Sequence, residues 1–204
     1  MTHQAALHHP LRIFFGLVLA WVTTLYPLDA GASSQGLLST ADLGTGWKLA
    51  NDGWFDSPRG PATTYTVAFE RDVFQVLENG GPMLLTLGVD LLREPPPIEA
   101  VEQSVGGLLS MFGPESGVRV FDEPEVGRNA MWFVFDLDLG NIVPSPVQAP
   151  PGVMIGVVFE SGNNLVTLTA IGVAGRLRVD DIAAIARTVA PRARQLQPLP
   201  EVPE

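Results

Sequence analysis

From Gly152 to Gly175 the sequence alternates as a single β-hairpin does, and this stretch limits the rest of the chain more than any other. A two-residue loop at Gly162-Asn163, of the kind that accepts positive φ at glycine, pairs Ser161 with Asn164 and so sets every later pairing. Cross-strand neighbours share a face. One face then carries Phe159 opposite Val166, Val157 opposite Leu168, Ile155 opposite Ala170 and Val153 opposite Gly172. The other carries Glu160, Thr167 and Thr169, interrupted by Met154, Val158, Leu165 and Ile171. Moving the loop to Asn163-Asn164 keeps this parity, whereas a three-residue loop would set Phe159 against Thr167 and split the apolar face. A sheet with one wholly apolar face needs a cover, and the sequence that follows supplies one. Ile182, Ile185, Ala186 and Val189 fall on one side of a helix predicted from about Val179 to Ala190. Asp180 and Asp181 sit at its positive end and Arg187 near its negative end, and Pro191 is expected to stop or kink it.

Upstream, Leu37 to Trp47 reads as one helical turn capped by Ser39 or Thr40, stopping at Gly44 and Gly46 and leading into a strand near Trp47 to Ala50. Trp54, Phe55, Pro58, Gly60 and Pro61 read as a loop. Between Thr63 and Leu77 the alternation changes phase, from Tyr65, Val67 and Phe69 to Phe74 and Val76, which predicts a bulge around Arg71-Asp72. After the turn Asn79-Gly80-Gly81-Pro82, a strand from Met83 to Leu92 is apolar at its odd positions. Pro95-Pro96-Pro97 opens a helix whose Ile98, Val101, Val105, Leu108 and Phe112 form one stripe, ended by Gly113-Pro114. Strands follow at Val118 to Phe121 and Ala130 to Asp138, then an irregular, proline-rich connection from Leu139 to Pro151. The order predicts an α+β fold: a single antiparallel sheet of about six or seven strands, covered on one face by two amphipathic helices.

The first residues have a different character. Arg12 is followed by an apolar run, Ile13 to Val22, and then by Ala30-Gly31-Ala32, the layout of a secretory signal peptide. Residues 1–32 are expected to be that signal, 33–194 a single domain, and 195–204 a flexible proline-rich tail. Cleavage after Ala32 leaves Ser33 at the terminus, and the expected location is outside the cytoplasm, secreted or in the cell envelope. Membrane attachment is expected only through this segment if it is left uncleaved. The net charge of −10 is carried by the domain, because Arg12 and Asp29 cancel within the leader. An acidic domain repels phosphate backbones, so nucleic acid is not an expected partner.

The absences are more informative. His3, His8 and His9 all lie in the leader and the chain has no cysteine, so the domain holds neither His nor Cys. That removes Ser-His and Cys-His nucleophile systems, the ligands of most zinc or copper sites, disulfides, and a lipid anchor on cysteine. Asp136-Leu-Asp138 before Gly140-Asn141 lacks the span and closing glutamate of a calcium loop. The acidic cluster Asp122, Glu123 and Glu125 reads as a solvated turn. Lys48, the only lysine, follows Trp47 in a structural strand. Trp47, Trp54 and Trp132 suit core and edge packing better than a shared stacking surface. No metal or cofactor is expected.

LLSTADLGTGW at Leu37 to Trp47, VVFESGNNLVTLTAIG at Val157 to Gly172 and DDIAAIARTVAPR at Asp180 to Arg192 together resemble a group of secreted bacterial α+β domains, with Gly44 where those have proline. The order of elements resembles the PsbP-like fold of photosystem assembly proteins and some mycobacterial lipoproteins. It resembles more weakly the extracellular sensor domains of mycobacterial receptor kinases, which carry disulfides that this chain cannot form. The resemblance brings no catalytic residues with it. The expected protein is an exported, monomeric or weakly associating, non-catalytic binding or assembly domain whose partner is an envelope protein or a small ligand. The alternatives are an envelope lipid or small-molecule carrier, which needs an apolar cavity between sheet and helices, and a hydrolase working through two facing carboxylates among Asp90, Asp136, Asp138 and Glu160. The expected recognition surface is the loop from Leu139 to Pro151, through Val143 and Val147, with Trp54 and Phe55 beside it.

Overall fold

The hairpin forms in the expected register. In the computed structural model, which describes residues 36–56, 63–112, 118–122, 124–141 and 150–196, Ser161 pairs with Asn164, Phe159 with Val166 and Val157 with Leu168. Gly162 takes φ +65° in the two-residue turn, a conformation open to glycine at no steric cost. The expected leader, Val143, Val147 and residues 197–204 of the expected tail lie outside the described residues.

Elements follow in the order α1 (Thr40–Leu43), β1 (Trp47–Asp56), β2 (Thr63–Arg71), α2 (Val73–Asn79), β3 (Pro82–Leu91), α3 (Ile98–Phe112), β4 (Arg119–Phe121) and β5 (Arg128–Asp138). A 3-10 turn at Leu139–Asn141, β6 (Pro151–Ser161), β7 (Asn164–Val173) and α4 (Val179–Ala193) complete them. The architecture is α+β, one antiparallel sheet of seven strands in the order β1-β2-β3-β7-β6-β5-β4. α3 carries the chain from β3 to the far edge, and the meander β4 to β7 then works back until β7 pairs with β3.

Pairing aligns side chains across the sheet in straight rows. Val67, Leu87, Leu168, Val157 and Trp132 stand opposite one another in turn, and each is completely buried. This is the face that α4 covers, through Ile182, Ala183, Ala186 and Val189, with Leu37 and Leu38 beside them. Burying side chains of this size stabilises by about 1.5–3 kcal/mol each.

The two long helices do not share that face. On β5 the neighbours of Trp132 and Val134, which are Phe133, Phe135 and Leu137, point the other way and pack with Val101 and Val105 of α3. Met154, Val158, Leu165 and Ile171, which interrupt the polar face of the hairpin, belong to this second core. The sheet therefore lies between α3 and α4, and the expectation of a single covered face is corrected. The cause is period 2: a strand apolar at consecutive positions, as β5 is from Met131 to Phe135, must be covered on both sides.

Three local expectations are also corrected. The phase change near Arg71 is a strand giving way to a helix, because Asp72 caps α2 by accepting from the backbone N–H of Phe74 (2.9 Å) and Gln75 (3.2 Å). Trp54 and Phe55 lie within β1, paired with Tyr65 and Thr64, and not in a loop. α4 runs through Pro191 to Ala193, its last turn held by Arg194 N–H donating to Ala190 O.

Candidate functional site

The carboxylates that a hydrolase would need are dispersed or already engaged. Asp136 and Asp138 are exposed on β5, and Asp138 accepts from the Gly140 N–H at 2.9 Å. Asp90 accepts from Thr64 Oγ1 at 2.5 Å. Glu160 is buried, its Oε2 ion-paired with Arg128 and its Oε1 accepting from Asn129 Nδ2 at 2.6 Å. Asp90 and Glu160 share a transverse row with Leu165 between them, so two strand spacings, roughly 10 Å, separate their backbones. Among the described residues, no group of three or more Asp or Glu is placed to hold a metal ion, and no helix is long and apolar enough to cross a membrane. A notch of about 380 Å³ lies beside Glu160, bordered by Arg128, Ser161, Pro191 and Arg194.

The three tryptophans of the domain are in three settings. Trp132 is fully buried, donates its indole N–H to Pro124 O at 2.8 Å and stacks on Phe121. Trp54 is half-buried with its ring 5.0 Å from Tyr65, at the rim of the α4-side core. Trp47 lies at the opposite end of β1 from Trp54, so the expected recognition residue and this tryptophan do not come together.

Trp47 floors the larger concavity, an open groove of about 870 Å³ at the end of the sheet. Register explains its construction. The first residue of β1 pairs with the last of β2, which lays Arg71 over Trp47 with Cζ 5.5 Å from the ring centre, a cation–π contact. One wall is α1, whose capping box joins Ser39 and Asp42: Asp42 Oδ2 accepts from the Ser39 N–H at 2.9 Å. Arg192, in the last turn of α4, donates to both oxygens of Asp42 at 2.8 Å and so fixes α1 against that helix. These donors, Arg192 foremost and then Ser39, hold the Asp42 carboxyl well below the usual carboxylate range, and Arg192 is raised in return.

The opposite wall is the end of α2. Gly80 and Gly81 take φ of +78° and +84°, and Arg176 Nη1 donates to the exposed last-turn carbonyls of Leu77 (2.5 Å) and Glu78 (2.9 Å). Arg178 pairs with Asp181 at the start of α4, whose Ala184 and Ile185 add an apolar side to the groove with Leu43. Every arginine of the lining except one is therefore occupied. Arg71 has only its stack on Trp47 among the described residues, and its buried Nε has no hydrogen-bond acceptor.

Sequence reasoning placed Arg71 at a bulge and missed its role. The available signal was its parity, since it continues the series Tyr65, Val67 and Phe69 on the core face. Phe55 has its backbone in β1, and Val143 and Val147 lie outside the described residues, so of the expected recognition residues the structure locates the side chain of Trp54 alone. No protein-family model, no curated protein and no solved structure matches the chain.

Proposed function

We propose that the chain is an exported binding domain that holds a small ligand or a partner segment, without transforming it, in the groove over Trp47. The observation that carries this reading is a concavity in which an apolar floor of Leu43, Trp47 and Ile185 meets one guanidinium with no acceptor, while the other two arginines of the lining, and Asp42 and Asp181, are engaged with charges or with backbone. Catalysis has less support. The carboxylates a hydrolase would use are tied to Arg128, Asn129 and Thr64 or stand apart on the surface. The carrier alternative loses its support, because the space between sheet and helices that it needs is filled by Phe133 and Phe135 under α3 and by Val157, Leu168 and Ile182 under α4.

Export rests on Arg12, the run Ile13 to Val22 and Ala30-Gly31-Ala32. A PsbP-like relationship belongs to the same proposal, supported by the order of elements and by an antiparallel sheet between helices. Mass measurement of protein recovered outside the cytoplasm tests export, with a chain beginning near Ser33 expected. A thermal-shift screen of small acids, amines and neutral amides tests binding: a ligand at 100 times its Kd adds about 2.7 kcal/mol of stability. Trp47→Ala should abolish the shift. A library without hits, or hits unaffected by Trp47→Ala, would remove the groove as the site.

A further inference from the structure

Resting on that reading of the groove, we infer that its ligand is a monocarboxylate bearing an apolar substituent, and that Arg71 anchors the carboxylate. Arg71 is the cation of the lining that has no acceptor, whereas Arg178 is paired with Asp181 and Arg176 is held by the carbonyls of Leu77 and Glu78. It is also held in place for the task. Its guanidinium lies on Trp47, and Gly81 leaves room for it, since its Nη1 is 3.3 Å from the point where a side chain there would begin. A planar guanidinium fixed in this way presents parallel N–H groups that match a carboxylate in two-point geometry.

The charge around the groove selects among anions. Asp42 and Asp181 are neutralised by Arg192 and Arg178, and Glu78 is the remaining carboxylate of the lining, so a phosphate carrying nearly two charges gains one vacant arginine and meets one carboxylate that opposes its second charge. A carboxylate carries a single charge and matches the single vacant cation. The apolar substituent follows from what lies next to Arg71. Trp47, Leu43 and Ile185 are each partly buried against the core and face the same concavity, so a ligand with its acid on Arg71 covers them with its remaining atoms. A small carboxylic acid and the C-terminus of a peptide ending in an apolar residue present this same chemistry.

The experiment uses the full chain, with 1H–15N spectra followed at the Trp47 indole and the Gly81 amide. N-acetyl-phenylalanine and N-acetyl-phenylalaninamide are titrated in parallel, with acetyl-Gly-Gly-Phe as free acid and as amide. Both signals are expected to move with the acids, and each amide is expected to bind at least tenfold more weakly than its acid. Arg71→Ala should lower acid affinity to that of the amide, Arg71→Lys should recover part of it, and Arg119→Ala on β4 should change it less than twofold. Tighter binding of the tripeptide acid assigns the site to a chain terminus, and tighter binding of the single residue assigns it to a small acid. Equal binding of acid and amide at Trp47 would overturn Arg71 as anchor and leave the groove standing. Failure of all four probes to move either signal would overturn both. If Arg71→Ala melts more than a few degrees early, Arg71→Gln, which keeps the length of the side chain, gives the decisive affinity.

Discussion

Replacing Gly156 by alanine adds one methyl group at the centre of the α3-side core. Gly156 stands opposite Phe133 across β5 and β6, and a Cβ built on it meets Phe133 Cζ at 2.1 Å and Cε2 at 2.5 Å. Carbon atoms in contact settle at about 3.5–4.0 Å, so the ring must retreat by roughly 1.5 Å. Nothing around it gives readily: Phe133 is 1% exposed, its ring lies 6.5 Å from Phe135 at an interplanar angle of 13°, and Val101 and Val105 close the layer above. Overpacking of this kind costs about 1–3 kcal/mol, against an unfolded-state gain of about 0.4–1 kcal/mol for glycine to alanine. The expected net loss is about 1–2 kcal/mol in urea unfolding, or about 2–4 °C per kcal/mol in melting temperature for a domain of this size. Phe133→Leu removes the atoms that clash. In that background Gly156→Ala should cost nothing or stabilise slightly, so the double-mutant cycle should show a coupling of at least about 1 kcal/mol. Equal effects of Gly156→Ala in the two backgrounds would refute the close approach as the reason for glycine at this position.

Gly106 in α3 is the control, because a Cβ there has no neighbour within 4 Å; Gly106→Ala should raise stability by about 0.5–1 kcal/mol, and a loss would place an unrecognised neighbour against that helix. The end of α4 is held by the turn of the hairpin, where Asn164 Nδ2 donates to Ala193 O at 2.6 Å and Leu196 O at 3.2 Å and Ser161 Oγ donates to Ala190 O at 2.5 Å. Ser161→Ala and Asn164→Ala should each cost about 1–2 kcal/mol in denaturant unfolding, with amide exchange accelerated first at the last turn of α4. Asp42 titrates in the folded chain below its unfolded value, so the contribution of its pair with Arg192 is present above about pH 4 and is lost as pH falls below that. Asp42→Asn should therefore cost up to about 1 kcal/mol at pH 7, less in high salt because the pair is partly exposed, and the difference from the parent should narrow progressively as the pH falls below about 4.

The hairpin was legible because period 2 and one glycine turn fix its register with no information from elsewhere in the chain. The cap at Ser39 or Thr40 and the stop at Gly44 and Gly46 were legible for the same reason, since such signals act within a few residues, and the structure selects Ser39 and Gly44. What local reasoning could not supply was the second cover. Met154, Val158, Leu165 and Ile171 looked like exceptions on a polar face, and they are explained only once β5 is known to lie beside β6 with Phe133 and Phe135 pointing to the α3 side. The groove is legible least of all. Trp47 and Arg71 meet through the pairing of β1 with β2, Asp42 and Arg192 meet across most of the chain, and the walls come from α1, α2 and α4.

The groove is nonetheless the place where agreement between levels breaks down, and that is an argument for its use. Tyr65, Val67 and Phe69 are apolar at alternate positions of β2 because that face is the core, and the next position on the face is Arg71. A leucine there would extend the apolar row toward Leu43 and Ile185 and leave no buried Nε without an acceptor. An arginine instead has an aromatic ring beneath it, a glycine at position 81 that leaves room for its Nη1, and a place in the lining of the open groove. None of these arrangements strengthens the packing of the sheet. Sequences that specify one structure keep pattern, packing and polar satisfaction in agreement, and departures from that agreement concentrate where a site is served. The charge at the end of the core face is in this sense a feature that stability does not require and that the proposed recognition of an anion would explain.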